Sequence, residues 1–168
     1  MAETTGFLDF SYQGESYKTW YKVVGDLKST TATPLVLLHG GPGIPNPYLD
    51  PHTTLYASHR IPLVFYDQVG CGLSTHLPDK PASFWTIPLF VVELENVLAS
   101  LGISGKFDLL GHSWGSILAS EFITTRQPQG LRRLVLADPL ASMALWEVGV
   151  NKLLKHFPEG LPGDAEET

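Results

Sequence analysis

Four short apolar runs fix the architecture open to this chain. Pro34 to Leu38, Pro62 to Tyr66, Phe107 to Leu110 and Leu131 to Ala137 have strand length, and the first three show no polar alternation. Such runs suit strands covered on both faces, as in parallel sheets. Each ends abruptly, in His39-Gly40, Asp67-Gln68, Gly111 and Asp138-Pro139. Helix-length segments lie between them. Pro88 to Leu101 repeats Leu89, Val92, Leu94, Val97, Leu98 and Leu101 near a 3.6-residue period, with Pro88 suited to a first helical position and Gly102 to a stop. Trp114 to Gln127 carries Ile117, Leu118, Phe122 and Ile123 on one face and stops before Pro128. Strand, helix and strand in repetition predict an α/β fold with a mostly parallel sheet.

Ahead of this pattern, Phe7 to Gln13 and Ser16 to Val24 alternate roughly around Gly14-Glu15, which predicts an opening hairpin. With 168 residues, 43% of them apolar, the chain can bury one good core. We expect residues 1–140 to form that core. Residues 141–168 are expected to follow it as a separate segment, ending in a mobile tail rich in Pro, Gly and acid from Phe157 onward.

Seventeen acidic against eleven basic residues give a net charge of -6, so there is no cationic footprint for nucleic acid or anionic lipid. One cysteine, Cys71, excludes an internal disulfide and any cysteine-cluster metal site. Residues 1–6 lack the basic and apolar regions of a secretory leader, and no run approaches a membrane span. A cytoplasmic protein is the expectation, with no nucleic-acid or membrane partner.

Gly111-His112-Ser113-Trp114-Gly115 has the form G-x-S-x-G and lies after an apolar run, at the start of a helical segment. Three fixed positions arise by chance in roughly one chain in twenty of this length, so the placement carries the weight. A sharp strand-to-helix turn would hold Ser113 in strained φ/ψ, and side chains at its flanking glycines would strike backbone. The helix N-terminus points free N–H groups at any anion formed beside Ser113, which makes Trp114 N–H the first candidate oxyanion donor. A second donor must come from another loop at the same sheet edge. His39-Gly40-Gly41-Pro42-Gly43 is such a loop, with Gly41 N–H assigned and Gly40 N–H as the competing choice. Pro42 has no N–H to offer. Gly40, Gly41 and Trp114 are also expected to touch substrate.

Three motifs in this order, His39-Gly40-Gly41-Pro42-Gly43, Asp67-Gln68-Val69-Gly70-Cys71-Gly72-Leu73-Ser74 and Gly111-His112-Ser113-Trp114-Gly115-Ser116, resemble the proline iminopeptidase family of α/β-hydrolases. The resemblance runs from about Leu35 to Leu140. It implies an α/β-hydrolase fold and serine aminopeptidase or amino-acid amidase chemistry on a small peptide or amide, with no metal and no organic cofactor. It also implies that Asp67 and Gln68 brace the loops around the site, that the Gly70 to Ser74 block is architectural, and that Cys71 is a small buried residue rather than a nucleophile. His39 should serve the oxyanion loop through hydrogen bonding. His52, His59 and His76 read as surface or loop residues.

Serine chemistry of this kind needs an acid and then a histidine after the nucleophile. Only His156 follows Ser113, in a helix-like stretch, and His112 should diverge from its neighbour on the turn. Asp138 ends the next strand, where some α/β-hydrolases place their acid. The resemblance therefore implies the amino-terminal part of such an enzyme, with residues 141–168 as the start of the family's helical cap or a mobile tail, lacking the last strands and most of that cap, and nearly inactive alone. Leu131 to Ala137 would then form an open sheet edge, inviting a complementing chain or self-association. A non-catalytic binding or complementing subunit and an esterase of secondary metabolism are the alternatives.

Overall fold

The computed structural model describes residues 2–28 and 32–157. A single sheet of six strands organises them: β1 (Glu3–Tyr12), β2 (Glu15–Val24), β3 (Leu35–Leu38), β4 (Leu63–Tyr66), β5 (Phe107–His112) and β6 (Leu131–Ala137), in the spatial order β1-β2-β4-β3-β5-β6. β1 and β2 pair antiparallel, and β2 joins β4 antiparallel. β4, β3, β5 and β6 run parallel. This is the mostly parallel sheet with an amino-terminal hairpin that the sequence predicts.

The hairpin differs from its predicted limits. Its turn is Gln13-Gly14, both with positive φ, and β1 reaches back to Glu3 rather than starting at Phe7. A two-residue turn of this kind matches the natural twist of the strands it joins. The extra residues of β1 are mostly exposed, so no apolar alternation marks them.

All four residues of β3 and of β4 are buried. Val36, Leu38, Val64, Tyr66 and Leu109 face one cluster, while Leu35, Leu37, Leu63, Phe65 and Leu110 face another. Helix α2 (Ile87–Ser100) and helix α3 (Trp114–Arg126) cover the first face through Leu89, Leu94, Val97, Leu118 and Phe122. Helix α1 (Thr54–His59) and the preceding 3₁₀ helix Asn46–Thr53 help cover the second with Leu49, Leu55 and Tyr56. Burial of the central strands from both sides explains why their sequence does not alternate.

Among the described residues β6 has one neighbour, β5, and its other edge is open. Leu134, Val135 and Leu136 are 39%, 48% and 37% exposed, the state expected of an interior-type strand left at an edge. Helix α4 (Met143–Leu154) starts after the Ser142 cap and leaves Leu145, Val148 and Leu153 exposed. Most of the tail expected from Phe157 onward lies outside the described residues. Among the described residues no helix is long and apolar enough to cross a membrane.

Candidate active site

Ser113 sits between β5 and α3 with φ 53° and ψ -117°, a conformation costing about 1–3 kcal/mol for a residue with a side chain. The turn is tight because two glycines let backbone approach backbone. A Cβ on Gly111 would lie 2.2 Å from Gly115 O, and one on Gly115 would lie 2.2 Å from Leu38 O. Ser113 N–H donates to Ala137 O (2.9 Å), and the Ser116 hydroxyl reaches Gly111 O (2.6 Å) and Ala137 O (2.9 Å). The strained turn is thus pinned to β6. Ser113 opens onto a cavity of about 440 Å³ that it shares with Gly41, Pro42, Trp114, Asp138 and Trp146.

The glycine-rich loop is held from below by His39. Its Nε2 accepts Gln68 N–H (2.9 Å), so the ring proton is on Nδ1, which donates to Gly40 O (3.0 Å). Burial lowers the His39 pKa and keeps the ring neutral, although the Asp67 carboxylate pulls the other way. Gly40 N–H donates to the Tyr48 hydroxyl (2.7 Å). Gly41 N–H, by contrast, reaches no main-chain acceptor among the described residues. Gly41 has φ +114°, a Cβ there would fall 2.6 Å from Gly43 N, and the Gly41-Pro42 peptide is cis.

Asp67 and Gln68 do brace the loops. Asp67 Oδ1 accepts Asn46 N–H (2.9 Å) and the Asn46 side-chain amide (2.6 Å), while Oδ2 accepts Leu73 N–H (2.9 Å). Gly72 lies so close that a Cβ would come 2.1 Å from Asp67 Oδ2. Gln68 Oε1 accepts the Trp114 indole N–H at 2.9 Å, locking the side chain after Ser113 to the loop after β4. Cys71 is buried, and burial, with the nearby carboxylates of Asp67 and Glu93, pushes its thiol up to about 12.

Sequence reasoning passed over two residues here, Glu93 and Tyr48. Glu93 is fully buried, accepts the Thr19 hydroxyl (2.5 Å) and Val69 N–H (3.0 and 3.1 Å), and is pushed up to about 7 by burial. Its one signal is an acid within the apolar face that Leu89, Leu94 and Val97 define. Tyr48, whose phenol bridges Gly40 and His112, carries no signal at all in a single sequence. Asp138, read only as a possible acid, has φ 51° and puts Oδ2 3.5 Å from His112 Nε2. His112 Nδ1 meets Tyr48 Oη at 2.9 Å. The second residue of the G-x-S-x-G turn therefore links the end of β6, through Tyr48, to the glycine-rich loop.

No histidine bonds Ser113 Oγ among the described residues. His52, His59 and His76 bond Leu49 O, Ser58 Oγ and Gly72 O. His156 bonds Lys152 O at the end of α4 and is exposed.

The sequence profile of the alpha/beta hydrolase fold matches residues 33–168, most of the chain. The chain belongs to this family. Among α/β-hydrolases it is similar to the proline iminopeptidase of Lactobacillus delbrueckii subsp. bulgaricus, 37% identical over 145 residues that make up 86% of this chain and 48% of that protein. The proline iminopeptidase of Lactiplantibacillus plantarum is 40% identical over 83% of this chain and 47% of its own length. Among solved structures, VinJ superposes with a TM-score of 0.83 at 45% identity, and the proline iminopeptidase of Mycobacterium smegmatis with 0.82 at 39%. Each of those matches covers 92% of this chain and 50% of the other. This α/β-hydrolase chain thus spans about half the length of the curated relatives it matches.

Proposed function

We propose that this chain carries the nucleophile and oxyanion hole of a serine hydrolase of proline iminopeptidase type. The substrate would be a small peptide or amino-acid amide cleaved behind its amino-terminal residue, proline or another small apolar one. The observation that carries this reading is the strained Ser113 at the N-terminus of α3, facing a cavity it shares with Gly41 and Trp114. Ser113 Oγ attacks the scissile carbonyl as a base takes its proton. The carbonyl oxygen becomes an oxyanion held by Gly41 N–H and Trp114 N–H, and the amine leaves with a proton returned by the base. Gly40 N–H is already occupied by Tyr48, which favours Gly41 over Gly40 as the loop donor.

Each oxyanion donor is typically worth roughly 3–4 kcal/mol of transition-state stabilisation. Loss of the base costs about a millionfold in kcat in serine proteases. The histidines described here are engaged elsewhere, so these residues by themselves should turn over almost no substrate. Hydrolysis of proline and alanine p-nitroanilides beside p-nitrophenyl esters tests the reading in native material containing the chain. Amide cleavage lost in Ser113→Ala supports it, and ester cleavage alone points to an esterase.

The open edge of β6 favours a second, compatible reading in which a further polypeptide strand completes the sheet and supplies the missing acid and histidine. A cytoplasmic setting fits a chain with a lone buried cysteine.

A further inference from the structure

Beside the Ser113 cavity lies a second one, of about 410 Å³, which the hydrolytic chemistry does not use. Its walls are aromatic and aliphatic: Trp85, Ile87, Phe90 and Trp114 from the α2 and α3 side, Pro42 and Val69 from the loops. Trp85 stacks near Phe90 with ring centres 6.4 Å apart and 20° between planes, and Phe90 meets Trp114 edge-on at 5.7 Å. Trp85 leans over Gly70, where a Cβ would strike its ring at 2.6 Å. That wall exists because position 70 is glycine at φ +96°. Pro42, Ile87 and Trp114 are common to both cavities, so one molecule at Ser113 can extend into the second.

The polar inventory decides what fits. Apart from the indole N–H groups of Trp85 and Trp114, Gln68 is the one polar side chain lining this space, and both its ends are engaged: Oε1 by the Trp114 indole, Nε2 by His39 O at 3.3 Å. No carboxylate or cation faces it. A charged group moved here would lose its water and gain no partner, whereas a flat apolar group would gain aromatic contact. The Ser113 cavity, by contrast, includes the Asp138 carboxylate, which suits the cationic amino end of a peptide or amide.

We infer that the Trp85–Phe90–Trp114 cavity is a leaving-group subsite that selects substrates whose amine portion is bulky, uncharged and apolar or aromatic. This rests on the hydrolase reading for the role of the occupant, while binding itself is independent of turnover. The test uses the purified full chain with L-alanine 2-naphthylamide, L-alaninamide and L-alanine 4-carboxyanilide, followed by titration of the tryptophan indole N–H signals in ¹H–¹⁵N spectra. The naphthylamide should bind at least tenfold tighter than either comparison ligand and shift the Trp85 and Trp114 signals while leaving Trp20 still. Trp85→Ala should remove that tenfold preference. Gly70→Val, which pushes the Trp85 ring aside, should do the same. Unchanged spectra of Trp20 in either variant report that the fold is intact.

Equal affinity for the three ligands, or a naphthylamide preference that survives both substitutions, overturns the inference. A preference that depends on Trp85, in a protein whose Ser113 proves unreactive in native material, keeps the subsite and discards the hydrolase reading.

Discussion

The Tyr48 phenol stands between two loops: its oxygen lies 2.9 Å from His112 Nδ1 and accepts Gly40 N–H at 2.7 Å. Donating to Nδ1 leaves the His112 proton on Nε2, facing Asp138 Oδ2. Tyr48→Phe strips the buried Gly40 N–H of its acceptor. We expect a loss of about 1–2 kcal/mol in urea unfolding, and faster hydrogen exchange at Gly40 than at core amides such as Leu109.

Gly115→Ala should be far more damaging than its chemistry suggests. The added Cβ would meet Leu38 O at 2.2 Å and His39 O at 2.9 Å, backbone atoms that cannot swing aside. A loss of about 3 kcal/mol or more is expected from such overpacking. Gly105→Ala, with nothing within 4 Å, should stay within about 0.5 kcal/mol of the parent. Equal urea midpoints for the two variants would contradict the tight turn.

Glu93 makes stability depend on pH with a definite sign. Burial raises its folded value to about 7 from an ordinary 4.5, so the folded chain holds the proton more tightly than the unfolded one. Its contribution is fully present below about pH 4.5 and is lost as pH rises through about 7, on the order of 3 kcal/mol in all. His39 acts in the opposite sense: its lowered value means stability is present above the ordinary 6.5 and lost as pH falls. Comparing the parent with Glu93→Gln isolates the first effect. The parent should lose stability relative to the variant between pH 5 and pH 8, as urea midpoints will report. A constant difference across that range would contradict it.

Cys71 should ignore thiol reagents in the folded chain at pH 8. It is buried and its thiol is pushed up to about 12, which leaves almost no thiolate. Ellman's reagent should react with one thiol per chain only once urea unfolds it. Rapid reaction without denaturant would show that the loop after β4 opens freely.

The central strands and the two long helices were legible because burial on both faces leaves an uninterrupted apolar run, and one-sided burial leaves a helical period. Ser113 was legible because its turn admits only glycine on either side. The engagement of His39 followed from its place at the head of the glycine-rich loop, and that of Asp67 and Gln68 from the family resemblance of their motif. Tyr48, Glu93 and the His112–Asp138 contact were not legible. They depend on which side chains meet across 24 to 74 residues of sequence, and no local pattern records such meetings. The early start of β1 escaped for a simpler reason, since solvent-exposed strand residues need no apolar alternation.

The identity of the nucleophile is tested most directly by a fluorophosphonate probe followed by mass analysis of the peptide containing Ser113. Native material containing the chain should carry the adduct on Ser113 and lose it in Ser113→Ala, while the purified 168-residue chain labels at least a thousandfold more slowly for want of a base. An unmodified Ser113 in native material, or labelling that persists in Ser113→Ala, would contradict the assignment of this serine as the nucleophile.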